Sequence, residues 1–159
     1  MLFHRSGQVA VQAALLLAME ALSTPRRTRD LGQQLGVPAT YLAKVLHELV
    51  RAGVLRSVRG PAGGFQLARP AQEICLWDVL AAVEPVGQLE SCLLGLGACT
   101  GEVTCPLHND WIQIRNQIVA FLQKKTLADI AAEAKRASSC RLMAAAPQPY
   151  ASHLEFTQK

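Results

Sequence analysis

The sequence is poor in aromatic residues, at 5% of 159, and has no long uninterrupted apolar run. Its most apolar stretch, residues 9–22, is broken by Gln12 and Glu20 and falls short of the roughly 20 residues that span a bilayer. No basic leader or small-residue cleavage site accompanies it, so it reads as a core helix rather than an export signal. The expectation is a cytoplasmic protein with no membrane partner. There is no phosphate-cradling Gly-Lys-Ser/Thr loop and no dinucleotide fingerprint. His47 and His153 have no catalytic partners at motif spacing, and an enzyme is not expected. Acidic residues are scarce in the first half. Residues 1–70 carry nine Lys/Arg against three Asp/Glu, a balance of +6, while residues 71–159 carry seven against nine, a balance of −2. A basic half on a chain of net charge +4 is the electrostatic footprint of a nucleic-acid binder.

What is present centres on residues 28–69. Thr28 is a plausible N-cap for a short helix with Leu31 and Leu35 on its inner side and Gly36 at its end. The next helix begins near Pro38. Leu42, Val45, Leu46, Leu49 and Val50 form one apolar stripe of 3.6-residue period. Thr40, Lys44, His47 and Arg51 fall off that stripe and leave a second face able to donate to a partner. Gly53 follows its end. A short helix, a glycine turn and an amphipathic helix make a helix-turn-helix, whose second helix can enter a major groove. Residues 54–58 and 65–68 then read as two strands around the turn Arg59-Gly60-Pro61-Ala62-Gly63-Gly64, flanked by Arg56, Arg59 and Arg69. A basic hairpin after a helix-turn-helix is a wing, suited to phosphate or minor-groove contact. The candidate contacts to double-stranded DNA are Thr28, Thr40, Tyr41, Lys44, Arg51, Arg56, Arg59 and Gly60. Arg26 and Arg27, in the loop before, are expected to be free to touch phosphates.

The run Y-L-A-K-V-L-H-E-L-V-R-A-G-V-L-R-S-V-R-G-P-A-G-G-F-Q-L-A-R resembles the signature of the Rrf2 family of bacterial winged-helix regulators, over about residues 1–135. The resemblance implies a mainly α fold with a small β wing: a winged helix-turn-helix plus a long dimerisation helix. The corresponding division is residues 1–87 for the DNA-binding domain, 88–108 for a cysteine-rich loop, 109–134 for dimerisation helices and 135–159 for a flexible tail.

Beyond the wing, residues 73–84 read as a helix, with Trp77 as a core anchor and Cys75 as a buried thiol within it. Residues 111–122 give a stronger helix. Its stripe of Trp111, Ile114, Ile118, Phe121 and Leu122, capped by Asn109 or Asp110, is a natural homodimer face. Residues 126–134 form a further helix, with Thr126 three residues before Asp129 as a capping-box variant. Cys140 in the tail is incidental.

Between these helices lies Cys92-x6-Cys99-x5-Cys105-Pro-Leu-His108. Three cysteines within fourteen residues, loosened by Gly95, Gly97 and Gly101, could converge as thiolates, with His108 able to turn inward as a fourth ligand. Soft thiolates select zinc, copper(I) or an iron–sulfur cluster. Zinc prefers a C-x2-C knuckle, which is absent here, whereas clusters accept wider spacing and histidine ligation. Reduced thiols without metal, or a regulatory disulfide, stay open. The resemblance favours the cluster. IscR-like members carry three cysteines in this segment and a histidine three residues after the third, which carries over to Cys92, Cys99, Cys105 and His108.

The Cys92–Cys99 interval is one residue longer than in such members, so 2Fe–2S and 4Fe–4S both remain. Ala43 stands where they have a glutamate in the recognition helix, so their DNA preference does not carry over. NsrR-like members use an N-terminal carboxylate as fourth ligand, which Gln8 does not supply. His4 and Gln8 are remote candidates for reaching a partner's cluster. The expected function is a homodimeric transcriptional regulator whose operator binding an iron–sulfur cluster controls, ordering the loop and so changing the spacing of the two winged helices. The alternative is a winged-helix regulator sensing through zinc or free thiols.

Overall fold

The protein is described by a computed structural model, in which residues 3–20, 24–85, 92, 94 and 105–136 are described. Helices α1 (Arg5–Ala18), α2 (Thr28–Leu35) and α3 (Ala39–Arg51) are followed by strands β1 (Leu55–Val58) and β2 (Gly64–Leu67). A 3-10 turn at Ala71–Glu73 leads to α4 (Leu76–Ala81), α5 (His108–Lys124) and α6 (Leu127–Arg136). The architecture is the expected one, mainly helical with a small antiparallel hairpin in which Leu55 faces Leu67 and Val58 faces Gly64.

The core is built on α1. Ala10, Ala13 and Ala14 are fully buried, and their small side chains let α2, α3, α4, α6 and β2 all pack against one helix. Leu42, Leu46 and Leu49 of α3 are fully buried with Leu31, Leu55, Ile74 and Leu127. At about 1.5–3 kcal/mol for each such side chain, this face is the main force fixing the orientation of α3.

Helix α1 is displaced from its sequence-based range of 9–22. It starts four residues earlier because Glu84 caps it from a distance. The Glu84 Oε1 atom accepts from His4 N at 3.1 Å, Gly7 N at 2.9 Å and Ser6 Oγ at 3.2 Å, while Oε2 lies 2.5 Å from His4 Nδ1. A buried carboxylate there satisfies amides that no local side chain reaches and complements the helix dipole. His4, a remote candidate for reaching a partner's cluster, is exposed and its ring is engaged by Glu84 of its own chain.

Other boundaries shift for similar reasons. Thr28 is the first residue of α2 and does not cap it; Arg27 occupies the cap position, with no side-chain bond. The expected helix 73–84 is interrupted. Ile74 and Cys75 are extended, and a bridge pairs Cys75 with Thr126, with Leu76 N donating to Lys125 O at 3.0 Å and Leu127 N to Ile74 O at 2.8 Å. Cys75 is therefore half-buried at the N-cap of α4, where Asp78 accepts from its backbone N–H at 3.1 Å. Trp77 is only half-buried. The same bridge ties α6 to the core through Leu127 and Ala131.

Helix α5 begins at His108, with Leu107 at its cap, so Asn109 and Asp110 lie inside the first turn. The Thr126–Asp129 capping box is present, each side chain accepting from the other residue's backbone N–H at 3.1 Å. These bonds hold the Asp129 carboxyl below its ordinary value. No helix among the described residues is long and apolar enough to cross a membrane. Residues 137–159 of the expected tail, Cys140 among them, lie outside the described residues.

Candidate DNA interface and cysteine site

The turn between α2 and α3 sets the recognition helix. Gly36 takes the left-handed conformation at φ 64°, and Val37 N donates back to Gly32 O at 3.0 Å, closing α2 in a Schellman-type cap. On α3 the residues Thr40, Lys44, His47 and Arg51 are all exposed and Tyr41 is half-buried at their edge. Steps of four, three and four residues place the exposed group within roughly a 60° arc, opposite the buried stripe. Arg51 is ion-paired with Glu48 on its own helix. Lys44 has no hydrogen-bond or charge partner among the described residues.

The wing is pinned to this helix pair from the loop before α2. Arg26 N donates to Phe65 O at 2.9 Å, and Arg26 O accepts in return from Phe65 N at 2.8 Å, so residue 26 adds a short third strand position to the hairpin. Its side chain meets Glu20 and Gln34. The Arg27 guanidinium donates to Pro61 O at 2.5 Å in the wing turn. Neither arginine is free, contrary to expectation, and no local sequence signal announces a contact 34 residues away. Their work is to hold the wing.

Close backbone approach also explains a glycine. A Cβ on Gly64 would stand 2.3 Å from Arg26 O, which no real side chain tolerates. Gly64→Ala should therefore lower stability by roughly 1–3 kcal/mol, read as a lower urea midpoint. An unchanged midpoint would show that the Arg26–Phe65 pairing contributes nothing.

Three arginines flank the wing turn in sequence, and the fold separates them. Arg69 turns back to Glu73 O at 2.8 Å and Asp78 Oδ2 at 3.0 Å. With the Gln66 amide oriented to accept, Arg56 donates to its oxygen at 2.6 and 2.5 Å across the hairpin. Arg59, exposed beside Gly60 at φ 108°, has no partner among the described residues. Arg59→Ala should weaken DNA binding by roughly 1–3 kcal/mol if it touches a base. If it touches a phosphate, all sequences should weaken alike and the salt slope should fall by about 1. Affinity unchanged across several salt concentrations would remove the wing from the interface.

Of the proposed metal ligands, Cys92 and Cys105 come together. Their sulfurs are 3.9 Å apart, and both are half-buried thiols outside any disulfide. Cys99 lies outside the described residues. His108 is the half-buried first residue of α5, and its backbone N donates to Cys105 O at 3.1 Å. Among the described residues no three metal-binding side chains converge. Along α5 only Leu122 is buried, and Ile114 and Phe121 stand 51% and 55% exposed.

The family model for Rrf2, described as an iron-dependent transcriptional regulator, matches residues 3–133. The chain is 34% identical over 154 residues to the HTH-type transcriptional regulator ORF2 of Azotobacter vinelandii, covering 94% of this chain and 93% of that one. It is 33% identical over 124 residues to the HTH-type transcriptional regulator IscR of Vibrio campbellii, covering 78% and 73%. The fold is shared with the solved structure of CymR, the global cysteine regulator of B. subtilis, at a TM-score of 0.71 and 23% identity over 82% of this chain and 96% of that one. A helix-turn-helix with an exposed polar face, a basic wing pinned beside it and these similarities agree: the chain belongs to the Rrf2 family of winged-helix transcriptional regulators, and it is a DNA-binding regulator, not an enzyme.

Proposed function

We propose that the protein is a homodimeric regulator whose operator binding is controlled by an iron–sulfur cluster held by Cys92, Cys99 and Cys105, with His108 as fourth ligand. The observation that carries this is the 3.9 Å separation of the Cys92 and Cys105 sulfurs. Two thiolates on one tetrahedral metal, each about 2.3 Å from it, stand about 3.8 Å apart, whereas a disulfide needs about 2.05 Å. The pair therefore fits a shared metal. Iron-dependence in the family's description supports iron as that metal.

Cys105 lies three residues before α5, and Cys92 beyond the end of α4. A group held by both fixes the chain entering α5, the helix proposed to carry the dimer contact through Ile114 and Phe121. When bound, a cluster would supply a centre that nitric oxide, oxygen or iron shortage can destroy. The residues of this chain then convert that loss into a change at the entry to α5, and through the dimer into the spacing of the two α3 helices on DNA.

The same sulfur separation suits zinc, and the thiol pair could act alone, so the alternative is sensing through zinc or free thiols. Anaerobic isolation with an absorption spectrum and counts of iron, zinc and acid-labile sulfide separates the readings. Visible absorption with matched iron and sulfide supports the cluster. Zinc without sulfide, or no metal, overturns it.

A further inference from the structure

The geometry points to His47 as a DNA-contacting residue that binds a backbone phosphate between the groove read by α3 and the groove reached by the wing. Three observations carry this. His47 is exposed on the same face of α3 as Thr40, Lys44 and Arg51, so it shares their outlook toward DNA. It is the ninth of the thirteen residues of α3, about 12 Å along the axis from the first. Residues at the start of a recognition helix reach base edges, so a side chain two turns further along lies beyond that base-reading group, on the part of the helix left to the flanking phosphates. Finally, the imidazole meets the ring of Phe65 edge to face, with centroids 5.5 Å apart and an interplanar angle of 78°.

Phe65 belongs to β2 and is itself pinned by both backbone bonds to Arg26. His47 thus sits where helix and wing meet. The phosphate strand that separates a major groove from its neighbouring minor groove passes that junction. The Phe65 contact limits the rotation of the imidazole, and an imidazole N–H is a hydrogen-bond donor to a phosphate oxygen. Arg51 on the same face is already paired with Glu48, which leaves His47 the better placed donor on this part of the helix. The inference rests on DNA binding alone and is independent of any cluster.

The test uses the full-length protein and a duplex that the protein itself selects from a random pool. His47→Leu keeps the bulk against Phe65 and removes the donors; His47→Gln restores an N–H. His47→Leu should lose roughly three- to tenfold in affinity, equally on the selected duplex and on a random duplex, with an unchanged melting temperature, and His47→Gln should recover part of the loss. Replacing single phosphates by methylphosphonates along the selected duplex should reveal one position at which wild type weakens and His47→Leu does not. Loss confined to the selected duplex would mean base reading and would overturn the phosphate assignment. Full affinity in His47→Leu, or no methylphosphonate position that loses its effect in the variant, would overturn the contact itself.

Discussion

Cys92→Ala, Cys99→Ala and Cys105→Ala should each abolish the visible absorption of the anaerobically isolated protein and reduce its iron content to background. Three thiolates and one weaker donor hold the proposed cluster, and losing any thiolate leaves too few strong ligands. The 3.9 Å pair of Cys92 and Cys105 makes these two variants the sharpest. His108→Ala should be milder, giving a labile or spectrally shifted cluster, because water or a thiol can take its place. Cys75→Ala should leave the spectrum intact: Cys75 lies at the start of α4, its backbone bonded to Asp78. Cys140→Ala should also leave it intact. Elemental analysis and spectra of the set check this. A triple variant that kept both iron and regulated DNA binding would place the sensing site elsewhere.

Phe121→Glu should convert the protein to a monomer and lower operator affinity on the order of 10²- to 10⁴-fold, by removing the gain of engaging two half-sites at once. Phe121 and Ile114 lie seven residues apart, two helical turns, so both face the same side of α5. Their exposures of 55% and 51% are unusual for side chains of that size on a helix where only Leu122 is buried. Because Phe121 contributes little to the core of its own chain, the substitution should change monomer stability by no more than about 0.5 kcal/mol. A two-fold dimer also sets a geometric expectation, with recognition helices about 34 Å or a multiple apart along the duplex. Analytical ultracentrifugation and operator titration test both points. A dimeric Phe121→Glu protein, or a monomer with full affinity, would contradict the assignment of α5.

Much of the fold was legible because the signals were local. The apolar stripe of α3, Gly36 and Gly53 at its borders, and the glycine-rich turn with its flanking strands all lie within residues 28–69, and each appears within one or two residues of its expected place. Expectations failed where a distant partner decides. The start of α1 depends on Glu84, and no pattern in residues 1–8 contains that information. The break at Ile74–Cys75 depends on pairing with residues 125–127, which overrides a helical period that does exist in the sequence.

The candidate interface divides the same way. That Thr40, Lys44 and Arg51 share a face follows from spacing alone. That Arg27 holds the wing turn, that Arg56 and Arg69 turn to Gln66 and Asp78, and that Arg59 is exposed with no partner among the described residues follow only from the tertiary arrangement. Basic residues near a wing are interchangeable in a charge count and distinct once their partners are known. The cysteines were legible as chemistry through their residue type and clustering, and the fold adds the proximity of Cys92 to Cys105.

Control of operator binding by the cluster can be read from one anaerobic preparation, by measuring its operator affinity before and after its iron is removed by a chelator, with random DNA as the control. Cluster control requires that operator affinity differ clearly between the two forms while affinity for random DNA, set by the basic winged helix, changes much less. Equal operator affinity in the iron-loaded and iron-free forms would contradict it.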